Sequence, residues 1–201
     1  KLCVNDTSLM ATHRVSGFVL LLPYLEHQAT LDAYQLDKLP AVWAESNNGW
    51  EKLPGREGLV EFRPPIKVCP SDKAEATHDE AATPVAPLRP ATGSYAFVHG
   101  SAGPPNNNCT LKVHNNGPFR YSKRIKIKQI TDGVSNTMFL GEVIQWHTFA
   151  SSNVWSFTAR HADSLRSTRN PLNTPPGEGV IVPSSNSNTP GVNGAFASDH
   201  A

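Results

Sequence analysis

The sequence predicts one α+β domain spanning residues 1–201, on three observations. A single amphipathic helical stripe lies near the start, short alternating segments follow, and turn-forming residues are abundant throughout. The 201 residues include 17 Pro, 14 Gly and 15 Asn, a content that favours short elements joined by many turns over a helical bundle. The length suits one packed core and would be cramped for two.

The helix is expected from about Pro23 to Leu36. Pro suits a first helical turn, where its missing N–H is not needed, and Leu25, Ala29, Ala33 and Leu36 recur on one face. Residues 40–66 carry Trp43 and Trp50 among Asn, Pro and Gly, and read as a loop with aromatic pegs. Residues 71–92 are acidic and rich in Ala and Pro, which points to an extended, loosely packed surface excursion. Strands are expected at 94–98, 124–128, 137–144 and 153–158, because each is alternating or β-branched and bounded by turn residues. The helix is expected to pack by its stripe on an antiparallel sheet that includes 124–128 and 137–144.

Charge narrows the partners. Eighteen Lys and Arg against 17 Asp and Glu leave a net charge of +1, so no overall basic field recruits nucleic acid. The longest apolar run, Phe18–Leu22, falls far short of a bilayer span.

No catalytic, cofactor-binding or metal-binding residue can be singled out. The chain has no Gly-x-Ser-x-Gly elbow and no His-Glu-x-x-His helix. Gly100-Ser101-Ala102-Gly103 has the glycines of a phosphate cradle, but Pro104 and Pro105 remove amide donors and no P-loop Lys follows, so it reads as a turn. The eight histidines, His13, His27, His78, His99, His114, His147, His161 and His200, are scattered without ligand spacing. Asp132, Ser135 and Asn136 could offer oxygen ligands to a hard cation, yet the same residues cap turns, and the structural turn is the favoured reading. Trp43, Trp50, Trp146 and Trp155 are read first as core pegs and second as stacking platforms for a sugar.

Three cysteines, Cys3, Cys69 and Cys109, allow three pairings. A Cys69–Cys109 disulfide is the expected one in an oxidising compartment, because it would close a loop of roughly 40 residues around the Pro-rich excursion; Cys3–Cys69 is the runner-up.

An ordered set of blocks then comes into view: Leu20-Leu21-Leu22-Pro23-Tyr24-Leu25-Glu26, Cys69-Pro70-Ser71-Asp72, Ser94-Tyr95-Ala96, Asn116-Gly117-Pro118-Phe119, Ile130 to Thr137 and Gly141-Glu142. The set resembles the large planctomycete family of pseudopilin-like proteins of unknown function. The resemblance runs from about residue 15 to the end and is most specific in Leu-Pro-Tyr-Leu-Glu and Ile-Thr-Asp-Gly-x-Ser-Asn-Thr.

That resemblance implies a pilin-like head without enzymatic activity or cofactor, belonging to a type IV pilin-like or type II secretion pseudopilin-like subunit. It implies an upstream hydrophobic helix that joins other such subunits and inserts in the membrane before assembly. The head would then lie at the cell surface, in the periplasm or outside the cell. Ser198-Asp199-His200-Ala201 resembles the start of the family's last hairpin, so a C-terminal truncation is expected. The alternative reading is an extracytoplasmic module that binds a solute or glycan.

Overall fold

The structure is a computed structural model that describes residues 15–36, 43–46, 49–52, 59, 61–73, 75–77, 90–102, 114–120, 123–144, 153–156, 164–174 and 196–198. Its chain order is α1 (Gly17–Leu21), a 3₁₀ turn (Leu22–Leu25), α2 (Gln28–Tyr34), β1 (Trp43–Ser46), β2 (Gly49–Lys52), β3 (Tyr95–Gly100), β4 (Leu140–Glu142) and β5 (Leu165–Ser167). The expected α+β class holds.

The helical segment starts six residues before Pro23. Ser16 caps α1 by accepting from the Phe18 N–H at 3.2 Å, and its own N–H donates to the Ser156 carbonyl at 3.1 Å. Pro23 falls inside the 3₁₀ turn, after which Glu26 takes a left-handed conformation (φ 64°). That reversal breaks the helical phase, so the Leu25/Ala29/Ala33/Leu36 stripe is not the buried face. Ala29 and Ala33 are exposed, Leu25 and Leu36 half-buried, and the residues driven inside are Phe18, Val19, Leu22 and Tyr34.

β1 and β2 pair antiparallel, with Trp43 opposite Lys52 and Glu45 opposite Trp50, a hairpin in place of the expected loop. The larger sheet has the order β4-β3-β5. β3 runs antiparallel to β4 and parallel to β5, so the sheet is mixed rather than wholly antiparallel. The expected strand at 124–128 is absent: Lys126 leads into a 3₁₀ turn at Ile127–Gln129, and Ile127 is 72% exposed. Alternation makes a half-buried strand only where one set of side chains finds a core, and this set finds none. Of 137–144 only Leu140–Glu142 is strand, and of the expected 153–158 strand the described residues contribute a single bridge, Val154 to Thr92.

β3 is the centre of the fold because both its faces are covered. Phe97 belongs to the larger cluster with Val15, Phe18, Val19, Leu22, Tyr34, Trp155 and Leu165. Ala96 and Val98 point the other way, to Val143 and Phe196. Phe97 stacks on Phe18 at 3.9 Å between ring centroids and meets Phe119 at 4.2 Å, which fastens α1 to the sheet. The ends of the 71–92 excursion are tied down rather than loose: Thr77 bridges Ala91, and the Thr92 N–H donates to the Ala76 carbonyl at 3.0 Å.

Candidate functional site

Four of the six motif blocks, Cys69–Asp72, Ser94–Ala96, Asn116–Phe119 and Gly141-Glu142, converge on β3 and its flanks, while Ile130–Thr137 forms a largely exposed turn bonded to itself. Ser94, fully buried just before the strand, ties three of them together. Its N–H donates to the Lys67 carbonyl at 2.8 Å, its carbonyl accepts from Val143 at 2.9 Å, and its hydroxyl accepts from the Cys69 N–H at 2.8 Å while donating to the Asp72 carboxylate. Asp72 closes the Cys-Pro-Ser-Asp turn by donating its own N–H to the Cys69 carbonyl at 3.0 Å. In the next two positions Tyr95 pairs with Glu142 and Ala96 with Gly141.

The Asn-Gly-Pro-Phe block closes on the far end of the strand. Gly117 N–H donates to the His99 carbonyl at 3.1 Å and Phe119 N–H to the Val98 carbonyl at 3.3 Å. The Asn116 side-chain oxygen accepts from Ser101 N–H at 2.8 Å. His99 is fully buried and its Nδ1 lies 2.9 Å from the Phe119 carbonyl, an oxygen that can only accept, so Nδ1 carries the proton.

Lys67 is the unusual member of this region. It is 5% exposed, and its Nζ stands 2.9 Å from the centroid of Phe18 and 5.4 Å from that of Tyr95. Burial pushes its pKa down to about 6; the Phe18 face, which attracts a cation, works the other way. Burial raises the Tyr95 phenol, with Cys69, Glu142 and Asp72 adding to the shift. Arg166 on β5 is also fully buried, donating to the Leu165 carbonyl at 2.9 Å and to the Asn153 side-chain oxygen.

Cys69 is buried with its Sγ 3.3 Å from the Ser71 hydroxyl. Cys109 and Cys3, its two expected partners, lie outside the described residues. Asp132, Ser135 and Asn136 are all exposed. Asn136 turns its amide nitrogen back to the Asp132 carbonyl at 3.0 Å and Thr137 donates its hydroxyl to the Gly133 carbonyl at 2.9 Å, so the side chains of Asn136 and Thr137 serve the turn. Among the described residues no group of three His, Cys, Asp or Glu side chains could hold a metal ion.

Trp155 is a core peg, 1% exposed, with Nε1 donating to the Phe62 carbonyl at 2.7 Å. Trp43 and Trp50 are placed by their strand register, and Trp146 lies outside the described residues. Of the histidines, His27 is half-buried edge-on to Phe62, His99 is buried and His114 is exposed; the other five lie outside the described residues.

Neither Lys67 nor Arg166 stood out in the sequence, where a lone cation in a Pro-rich loop or a Ser-flanked segment reads as surface. The arrangement around Ser94 links a loop, a strand entry and an edge strand through hydroxyl and carboxylate bonds. Its Ser94 hydroxyl already has both a donor and an acceptor, in a place closed to solvent.

These features define a small α+β domain in which four sequence blocks brace one central strand. Residues 3–198 match a family described as a protein of unknown function, DUF1559, and with nearly the whole chain covered the protein belongs to that family. No curated protein and no solved structure matches the chain.

Proposed function

We propose that the protein is a non-catalytic structural or assembly subunit, the head of a type IV pilin-like or type II secretion pseudopilin-like protein. The observation that supports this most is where the blocks go. In Cys69–Asp72, Ser94–Ala96, Asn116–Phe119 and Gly141-Glu142, backbone groups and the side chains of Asp72, Ser94 and Asn116 bond to one another and to the backbone around β3. Blocks that build a scaffold rather than line a cleft fit a head whose loops carry the variable surface. The resemblance to pseudopilin-like proteins supplies the assembly role, with partners that are other subunits joined through an upstream apolar helix.

The glycan-binding alternative loses support at Trp155, whose ring is enclosed in the core and cannot stack on a sugar.

The test is the N-terminus of the full-length gene product. A Gly followed by Phe-Thr-x-x-Glu and an apolar helix, cleaved and methylated at that point in cells, is the expected result. An ordinary signal peptide without such a helix would contradict the proposal.

A further inference from the structure

The near-zero net charge hides a strong internal division. Residues 81–131 contain seven Lys and Arg and not one Asp or Glu, so the remainder of the chain carries a net −6. Five of those seven cations, Arg120, Lys123, Arg124, Lys126 and Lys128, fall within nine positions. Lys123, Arg124, Lys126 and Lys128 are exposed, and among the described residues none of the four meets a carboxylate.

This basic arm is held in shape. Arg120 Nε donates to the Gly117 carbonyl at 3.1 Å, and Arg120 bridges Lys123. Lys126 N–H donates to the Gln129 side-chain oxygen at 2.8 Å, Gln129 N–H returns to the Lys126 carbonyl at 2.8 Å, and Ile130 N–H reaches the Ile127 carbonyl at 3.0 Å. The turn so formed presents Ile127, 72% exposed, between Lys126 and Lys128. A second such turn, seven positions on, presents Val134, 48% exposed.

A β-branched side chain fixed outward between lysines costs solubility and does nothing for the core. Set against an anionic phospholipid surface, the same arrangement is favourable twice: the cations sit at the headgroups and the isoleucine enters the acyl boundary. We propose that the 123–128 arm docks on anionic phospholipid bilayers, with Lys123, Arg124, Lys126 and Lys128 as the electrostatic contacts and Ile127 as the apolar anchor. The charge complementarity selects an anionic partner, and the exposed isoleucine selects a lipid surface over a polyanion that offers no apolar phase. The inference stands apart from the pilin-like reading and does not need it.

The full chain is mixed with vesicles of phosphatidylcholine alone and of phosphatidylcholine with phosphatidylserine, and binding is read by flotation. Binding to the mixed vesicles only, weakening as salt rises, is expected. Lys126→Gln and Lys128→Gln should each lower the partition coefficient roughly fivefold. Ile127→Ser should lower it by about three- to tenfold while leaving retention on immobilised heparin unchanged. All three positions are exposed, and overlaying melting curves confirm that the variants fold. Equal binding to both vesicle types, no binding to either, or an Ile127→Ser variant that binds mixed vesicles like the parent would overturn the inference. The last of these, with heparin retention kept, assigns the arm to a polyanion instead.

Discussion

The Lys67 amine lies 2.9 Å above the ring of Phe18, between α1 and the sheet, in a region closed to water. A lysine so placed opposes folding whenever it must stay charged. Its pKa is about 6 in the folded chain against an ordinary 10.5 unfolded. Between those values the unfolded chain holds the extra proton, so stability rises with pH across the window from about 6 to 10.5. The ring face recovers about 1–2 kcal/mol for the ammonium form and narrows that window. Lys67→Met should melt higher than the parent at neutral pH and show a flatter rise toward pH 10 in thermal scans. Parallel pH curves for the two proteins would contradict this account of Lys67.

Phe97 joins the helical layer to the Asn-Gly-Pro-Phe block through its contacts with Phe18 and Phe119. Phe97→Ala should cost about 3–5 kcal/mol in denaturant unfolding, the range for a buried aromatic lost to a cavity. Ala29→Ser, on the exposed face of α2, should change stability by less than about 0.5 kcal/mol.

Two glycines separate steric from conformational demands. A Cβ on Gly117 would overlap the His99 carbonyl, which is backbone and cannot step aside. One on Gly133 meets open space, with Asn136 Nδ2 nearest at 3.9 Å, and only the positive φ of 83° objects. With ψ at 147° Gly133 lies in an extended region essentially restricted to glycine, so Gly133→Ala should cost about 1–3 kcal/mol, and Gly117→Ala distinctly more, read as a larger loss of melting temperature.

Ser94→Ala removes the acceptor of the buried Cys69 N–H and the donor to Asp72. The cost should be about 1–3 kcal/mol by denaturant titration, because a buried donor is left unmet. In hydrogen exchange the Cys69 amide should lose protection before those of β3 do.

The strand at β3 was legible because Tyr95, Phe97 and His99 alternate with Ala96 and Val98, and both sets found a core. Residues 124–128 alternate as cleanly and form no strand, since alternation reports spacing and not whether anything covers a face. The helix was legible in existence but not in phase: Ser16 begins it and Glu26 resets it, and neither effect belongs to the Leu25/Ala29/Ala33/Leu36 periodicity. The signal for the β1–β2 hairpin was the pair Asn47-Asn48 between two Trp-bearing segments, for Ser46 pairs with Gly49. The convergence at Ser94 was not legible, for it depends on bringing Cys69 and Asp72 beside a strand some 25 positions away, a relation no local pattern encodes. Lys67 was hidden for the same reason.

The proposed role as an assembly subunit is tested most directly by where the full-length protein is found in the cells that make it. Filaments or membrane-anchored assemblies sheared from those cells should contain the chain in sedimenting polymers, and deleting the upstream apolar helix should release it as a monomer. A full-length protein that stays monomeric and soluble, while binding a sugar or other solute at micromolar affinity, would contradict that role and favour the binding module.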